Sequence, residues 1–247
     1  MDYYFEDFTE TNYVKILQLA KSKCRFCDYE ELLDESQQNI IVWRHDIDMS
    51  VHRALKLANL ERENNVSAVY FVHLNSAFYN VFEKVIREML KKIGSMHEIG
   101  IHFDCGMYEG TPTKSKLEED LDYYKTILEK FLEVRIKSFS FHNPTKEILE
   151  LFSEEKYAGL YNAYAERIMT NASYCSDSNG YWRYQRLQEF LSNENHSRMC
   201  VLTHPVWWVP KVLPPRERIQ RAIDGRSNAV ARAYDEEMRA LNRKNII

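Results

Sequence analysis

The sequence predicts an α/β protein with a mostly parallel sheet, and three observations carry that expectation. Apolar runs rich in β-branched and aromatic residues recur at intervals that leave room for a helix between them. The intervening stretches carry apolar residues at helical spacing, as Val51, Ala54, Leu55 and Ala58 do. Histidines and aspartates cluster where the apolar runs stop, at the position where α/β enzymes build their sites.

In chain order, "IIVWRHDID" (40–48) reads as a buried strand, followed by a helix that Asn64-Asn65 closes. "VSAVYFVHL" is the next strand, which completes a βαβ unit of ordinary length. "AFYNVFEKVIREMLKKIG" predicts a helix and "HEIGIHF" a strand, then "KLEEDLDYYKTILEKFLE" a helix and "IKSFSFH" a strand. "AGLYNAY", "ASYCSD" and "MCVLTHP" complete seven strand candidates. Strands alternating with helices imply parallel pairing, in an open doubly wound sheet or a closed barrel. No GxGxxG or GxxxxGK[ST] follows a strand, so phosphate-cradling loops are not indicated. With 7 glycines and 6 prolines there is little material for a linker. One domain is therefore expected over residues 1–213, with a charged helical extension over 214–247 in which Gly225 is a candidate break. That extension could pack on the domain, fray, or join two copies of the chain.

Composition narrows the function classes. The 247 residues are 45% hydrophobic and 28% charged, with net charge −4, which gives no footprint for nucleic acid. No apolar run reaches the length of a membrane span. The acidic opening "MDYYFEDFTE" is the reverse of a secretory leader, and an odd count of five cysteines does not make a disulfide framework. A reducing, cytoplasmic setting is the expectation. Cys24 and Cys27 form an isolated CxxC, read as core or surface thiols.

Of eight histidines, five (His45, His73, His102, His142 and His204) close predicted strands. Asp46, Asp48 and Asp104 stand beside them. Side chains alternate along a strand, so Asp46 and Asp48 share a face about 7 Å apart while His45 points the other way. One carboxylate can then ligate a metal while the other reaches its bound water. Imidazoles and carboxylates are ordinary ligands of zinc and similar divalent ions. His97 and Glu98 are read as solvated strand-entry residues, and His52 and His196 as surface.

These stretches resemble a known family. "RHDID", "HEIGIHF", "SFSFHNP", "YCSDSNGYW" and "VLTHPVWW" follow the order of the five motifs of polysaccharide deacetylases, the NodB-homology or carbohydrate esterase family 4 group. The likeness covers residues 40 to about 208 and is nearest to the divergent RHDxD branch, which includes deacetylases of lipopolysaccharide O-antigen gene clusters. It implies a distorted (β/α)7–8 barrel that removes acetyl groups from acetamido sugars by metal-assisted hydrolysis. The implied cofactor is one divalent metal, zinc first among the candidates. The implied substrate is an acetamido sugar, nucleotide-linked or lipid-linked. By position in the motifs, Asp46 matches the general base, Asp48 and His102 metal ligands, and His204 the general acid. Asp177 and Trp182 fall in the fourth motif, and Trp207, beside His204, is a candidate for stacking on a sugar.

Two departures stand out. The second metal histidine of the family falls on Gly106, so His142 is the expected replacement. "FHNP" stands in place of an arginine-proline motif, leaving Arg44 or Asn143 to orient the base. The rival expectations are an amidohydrolase acting on a small non-sugar amide, an inactive barrel that binds glycan or scaffolds a complex, and a glycosidase using the aspartate pair. The last leaves the histidines without a role.

Overall fold

The computed structural model describes residues 3–182 and 184–246. A 3-10 turn, Phe5–Phe8, leads into α1 (Glu10–Lys23), β1 (Arg25–Phe26) and α2 (Tyr29–Leu33). The repeating part follows: β2 (Ile40–Ile47), α3 (Val51–Glu63), β3 (Val69–Val72), α4 (Lys84–Gly94), β4 (Glu98–Phe103), α5 (Lys114–Leu132) and β5 (Ser138–Phe141). Shorter elements come next, α6 (Lys146–Leu151), β6 (Lys156–Tyr157), β7 (Leu160–Asn162), α7 (Glu166–Asn171), β8 (Ser173–Ser176) and α8 (Leu187–Ser192). β9 (Arg198–Thr203) and the long α9 (Pro215–Ala240) end the chain.

The sheet order is β6-β7-β5-β4-β3-β2-β9-β8, with β1 pairing β2 as well, and only β6–β7 is antiparallel. All seven expected strands are present; β1 and β6, two residues each, were too short to leave a pattern. Four strand spacings separate β2 from β7, about 19 Å in a flat sheet. Yet Arg44 of β2 donates to the Tyr164 hydroxyl just beyond β7 at 3.2 Å, with its guanidinium 4.7 Å from that ring's centre. The sheet is therefore curled into a distorted, open barrel, since β6 and β8 do not pair.

Alternation along β2 sorts its residues between two cores. Ile40, Val42, Arg44 and Asp46 face the barrel interior, where Ile40 and Val42 pack with Phe71, Ala163, Ala165 and Cys200. Ile41, Trp43, His45 and Ile47 face the helical layer, where the three apolar ones join α1, α3 and α4 in the larger core. Gly100 of β4 sits opposite Phe71 in register. A Cβ there would lie 2.5 Å from the Phe71 ring and 2.9 Å from the Ser138 carbonyl, so the interior admits only glycine.

The helices start where side chains can cap them. Ser50, Thr113 and Thr145 accept the backbone N–H of Arg53, Lys116 and Ile148 respectively, each worth about 1 kcal/mol. Asn65 ends α3 with φ 54°, the left-handed conformation that asparagine tolerates. The helix expected from Ala77 begins only at Lys84. Asn80 instead caps a turn by accepting the Phe82 N–H, and the Tyr79 hydroxyl donates to the Ile47 carbonyl. The break expected at Gly225 is absent: α9 runs through it, because one glycine costs only about 1 kcal/mol in a helix of 26 residues.

Candidate active site

The site stands at the C-terminal ends of β2, β4, β5 and β9. Asp48, one residue past β2, His102 on β4 and His142, one residue past β5, bring one donor atom each into a single group. Asp48 Oδ1 lies 3.1 Å from His102 Nε2 and 3.6 Å from His142 Nδ1, and the two imidazole nitrogens are 3.1 Å apart. Tetrahedral zinc with ligands at about 2.0–2.1 Å requires donor separations of about 3.3 Å. The triangle fits that edge length, and Asp48 Oδ1 is buried with no hydrogen-bond partner. An orphaned carboxylate oxygen facing two imidazole nitrogens is a donor set shaped for a divalent cation.

The orientation of each donor has a local cause. His102 Nδ1 is 2.7 Å from Ser140 Oγ on the neighbouring strand, which turns Nε2 toward the group. His142 Nε2 is 3.0 Å from the Asn143 carboxamide, and Asn143 holds φ 42° to place it there. The Asn143 carboxamide nitrogen Nδ2 donates to Nε2 and so fixes the ring that carries Nδ1 toward the group. Asn143 thus attends His142 and not Asp46.

Asp46 is 2% exposed and receives a two-point grip from Arg44, Nε to Oδ1 at 3.2 Å and Nη2 to Oδ2 at 2.8 Å. Burial works to raise its pKa, but the Arg44 guanidinium and the nearby His102 hold it below the ordinary carboxylate value. Burial likewise opposes ionisation of Asp48, and the imidazoles of His102, His142 and His204 around it overcome that, so its pKa lies well below the usual range. Both carboxylates are ionised at neutral pH.

His204, just after β9, faces Asp48 through Nε2 at 3.8 Å. Its Nδ1 lies 2.6 Å from Asp177 Oδ1, and the Asp177 carboxylate also accepts the His204 backbone N–H and the Trp208 indole N–H. Burial favours neutral imidazole, but Asp177 outweighs it and, with Asp48 and Asp46, raises the pKa to about 9. His204 is therefore a protonated donor whose free N–H faces the carboxylates.

Asp46, Asp48, His102, His142 and His204 are thus brought together with Arg44, Asn143 and Asp177 behind them. Trp182, in the fourth-motif stretch, is buried away from the strand-end site. Its indole N–H donates to Asp7, its ring stacks on Phe8 at 4.9 Å, and 6% of it is exposed. Trp207 is 7% exposed and covers Gly180, where a Cβ would lie 2.7 Å from the ring. The N-terminal segment folds over Trp182 and Trp208 through Asp7 and Phe8, whereas Trp207 packs on Gly180.

His45 and His97 belong to a different network. His45 Nε2 is 2.5 Å from Glu61, which also accepts from Tyr13 and from Tyr70 at 2.7 Å, while His45 Nδ1 is 2.7 Å from Thr203 Oγ1. His97, expected at the surface, is buried with Nε2 2.9 Å from the Ala58 carbonyl. Glu98 is half-buried, and burial raises its pKa. Sequence reasoning missed Ser140, Tyr164 and Glu61. Only Ser140 had a signal, standing two residues before His142 on the same strand face. His73 and Asp104 form a further donor group that shares His142. Cys24 and Cys27 are buried free thiols, with burial pushing Cys27 up to about 12.

No protein-family model matches the sequence, and no curated protein matches it. Among solved structures, a family 4 carbohydrate esterase from Bacillus anthracis is similar over 88% of this chain and 86% of that one, at 17% identity and TM-score 0.46. The chitin deacetylase of the fungal pathogen Colletotrichum lindemuthianum is similar over 77% and 84%, at 12% identity and TM-score 0.48. A family 4 pseudoenzyme from Bacillus anthracis is similar over 76% and 60%, at 11% identity and TM-score 0.42. Among the described residues no helix is long and apolar enough to cross a membrane.

Proposed function

We propose that this protein is a metal-dependent deacetylase that hydrolyses the N-acetyl group of an acetamido sugar. The observation that carries the reading is the placement of an ionised Asp46 and a protonated His204 about the three-donor group of Asp48, His102 and His142. A divalent ion held by those three donors, zinc by the chemistry of one carboxylate and two imidazoles, supplies polarisation of a carbonyl and a water acidified to a pKa of about 7. Asp46, locked in place by Arg44, takes the proton from the attacking water. His204 Nε2–H gives its proton to the departing amine, and Asp177 on Nδ1 stabilises the imidazolium until it does. His142 fills the ligand position lost at Gly106, where the chain instead makes a tight turn with Asp104 accepting the Gly106 N–H at 2.8 Å.

A cytoplasmic precursor in surface polysaccharide assembly, of the O-antigen kind, is the substrate this reading favours. Acetate release from nucleotide- and lipid-linked acetamido sugars tests it, before and after metal removal, with Asp46→Asn alongside. Activity that is lost on chelation, restored by zinc and abolished in Asp46→Asn is the expected result. Full activity in Asp46→Asn, or none in the zinc-loaded protein on any acetamide, overturns it.

A further inference from the structure

A groove of about 500 Å³ opens beside the strand ends, walled by α3, the start of α4 and the middle of α9. Its place is tied to the catalytic strands. Met49 and Ser50, which line it, directly follow Asp48, and Val206, also lining it, lies two residues past His204. The volume is in the range of small-molecule sites.

The charge of this groove runs against that of the chain. The whole protein carries −4, yet Arg53, Arg218, Arg221, Arg226 and Arg232 line the groove against Glu83 and Glu236. Arg53 pairs with Glu10 and Arg226 with Glu83. Among the described residues the other three have no carboxylate partner. Arg218 is 1% exposed, and its two terminal nitrogens donate to the Gly180 and Phe5 carbonyls at 3.0 and 3.1 Å. Its Nε is buried with no partner. Asp177 is near enough to act on this guanidinium but does not offset its burial, which still lowers its pKa to about 10, and a further anion in the groove offsets the remaining cost. The N-terminus of α3 meets the same wall and adds unpaired backbone N–H groups that favour an anion.

The rest of the wall is apolar, with Phe78, Val85, Ile86 and Val209 among its residues. It contains no asparagine or glutamine to read the edge of a nucleobase. Cationic side chains at one wall and hydrocarbon at the other match an anionic head group carrying an apolar chain. We propose that the groove binds a lipid diphosphate, the carrier on which the acetamido sugar is presented. The diphosphate meets Arg221, Arg232 and the α3 N-terminus, with the buried charge of Arg218 behind them, and the chain lies along the apolar wall. This assignment rests on the deacetylase reading for the sugar and goes beyond it in naming the carrier.

Farnesyl diphosphate, which has the diphosphate and a chain but no acetamide, is the probe. Calorimetry on the full chain is expected to show saturable binding at least tenfold tighter than that of inorganic pyrophosphate or uridine diphosphate. The double variant Arg221→Ala/Arg232→Ala, at two exposed positions outside the active site, is expected to weaken it at least tenfold without changing metal content. Equal binding of uridine diphosphate moves the carrier to a nucleotide and overturns the proposal. Equal binding of pyrophosphate removes the role of the apolar wall and also overturns it. So does an absence of binding, an effect of the double variant below tenfold, or a dimer that the double variant dissociates, which assigns the groove to a second copy. Acetate release from free acetamido sugars without farnesyl diphosphate binding defeats only the groove assignment. Farnesyl diphosphate binding without acetate release from any acetamido sugar defeats only the deacetylase reading.

Discussion

Replacing Asp177 with Asn tests whether His204 is built to carry a proton. The carboxylate is fully buried and makes contacts to three donors: His204 Nδ1, the His204 backbone N–H and the Trp208 indole. Burial by itself favours neutral imidazole, and Asp177 is the largest influence opposing it. With its charge gone, the His204 pKa is expected to fall from about 9 to its ordinary value of 6.5 or below. At about 1.4 kcal/mol per tenfold change, that is roughly 3 kcal/mol of preference for the imidazolium. The measurement is an NMR titration of the histidine Cε1–H signals in metal-free protein, paired with the pH profile of acetate release. In the wild type, the stability contributed by the raised pKa is complete below pH 6.5 and is lost as pH rises through about 9. The variant is expected to show no such loss over that window, and its alkaline limb of kcat/KM should move down with the titration. The Asn carboxamide also leaves donors unsatisfied, costing about 1–3 kcal/mol at every pH. A His204 midpoint that stays near 9 in Asp177→Asn refutes the reasoning.

His142→Ala should weaken zinc binding by at least about 10–100-fold in chelator competition, and unchanged affinity removes His142 from the donor set. Arg44→Met leaves the Asp46 carboxylate buried without its partner, a loss of about 3–5 kcal/mol in urea unfolding. Asp46 now stays ionised well into acid, so its stabilising share is present at neutral pH and lost as pH falls through its depressed pKa. In Arg44→Met that loss, and the acid limb of activity, should move to higher pH; an unmoved limb would detach Arg44 from Asp46. Gly100→Ala should cost about 1–3 kcal/mol or more, because its Cβ meets the Phe71 ring and the Ser138 carbonyl. Wild-type thermal stability in that variant would disprove the close approach.

Local pattern determined the strands, most of the longer helices and the placement of ionisable groups at the strand ends. Two-residue alternation alone put Asp46 and Asp48 on one face and His45 on the other, since pleating acts through neighbours along the chain. Five histidines at strand ends were visible for the same reason. What the pattern could not assign was the partner of each group. Arg44 and Asn143 were equal candidates for holding Asp46, and the choice fell to Arg44 because curling of the sheet brings Tyr164 over its guanidinium and fixes the side chain. Asp177 acquired its role only by lying under His204, 27 residues away in sequence. Trp207 read as a candidate for stacking on a sugar because exposure is not written in a motif; its packing on Gly180 buries it, as Asp7 and Phe8 bury Trp182. His45 and His97 turned inward because Glu61 of α3 offers a buried carboxylate, a meeting of α1, α3, β2 and β3 that no single stretch of sequence contains. Covalent alternation and helical periodicity are properties of consecutive residues, whereas burial, charge pairing and donor geometry are set by contacts between segments, and those come into being only when the sheet curls and the helices close on it.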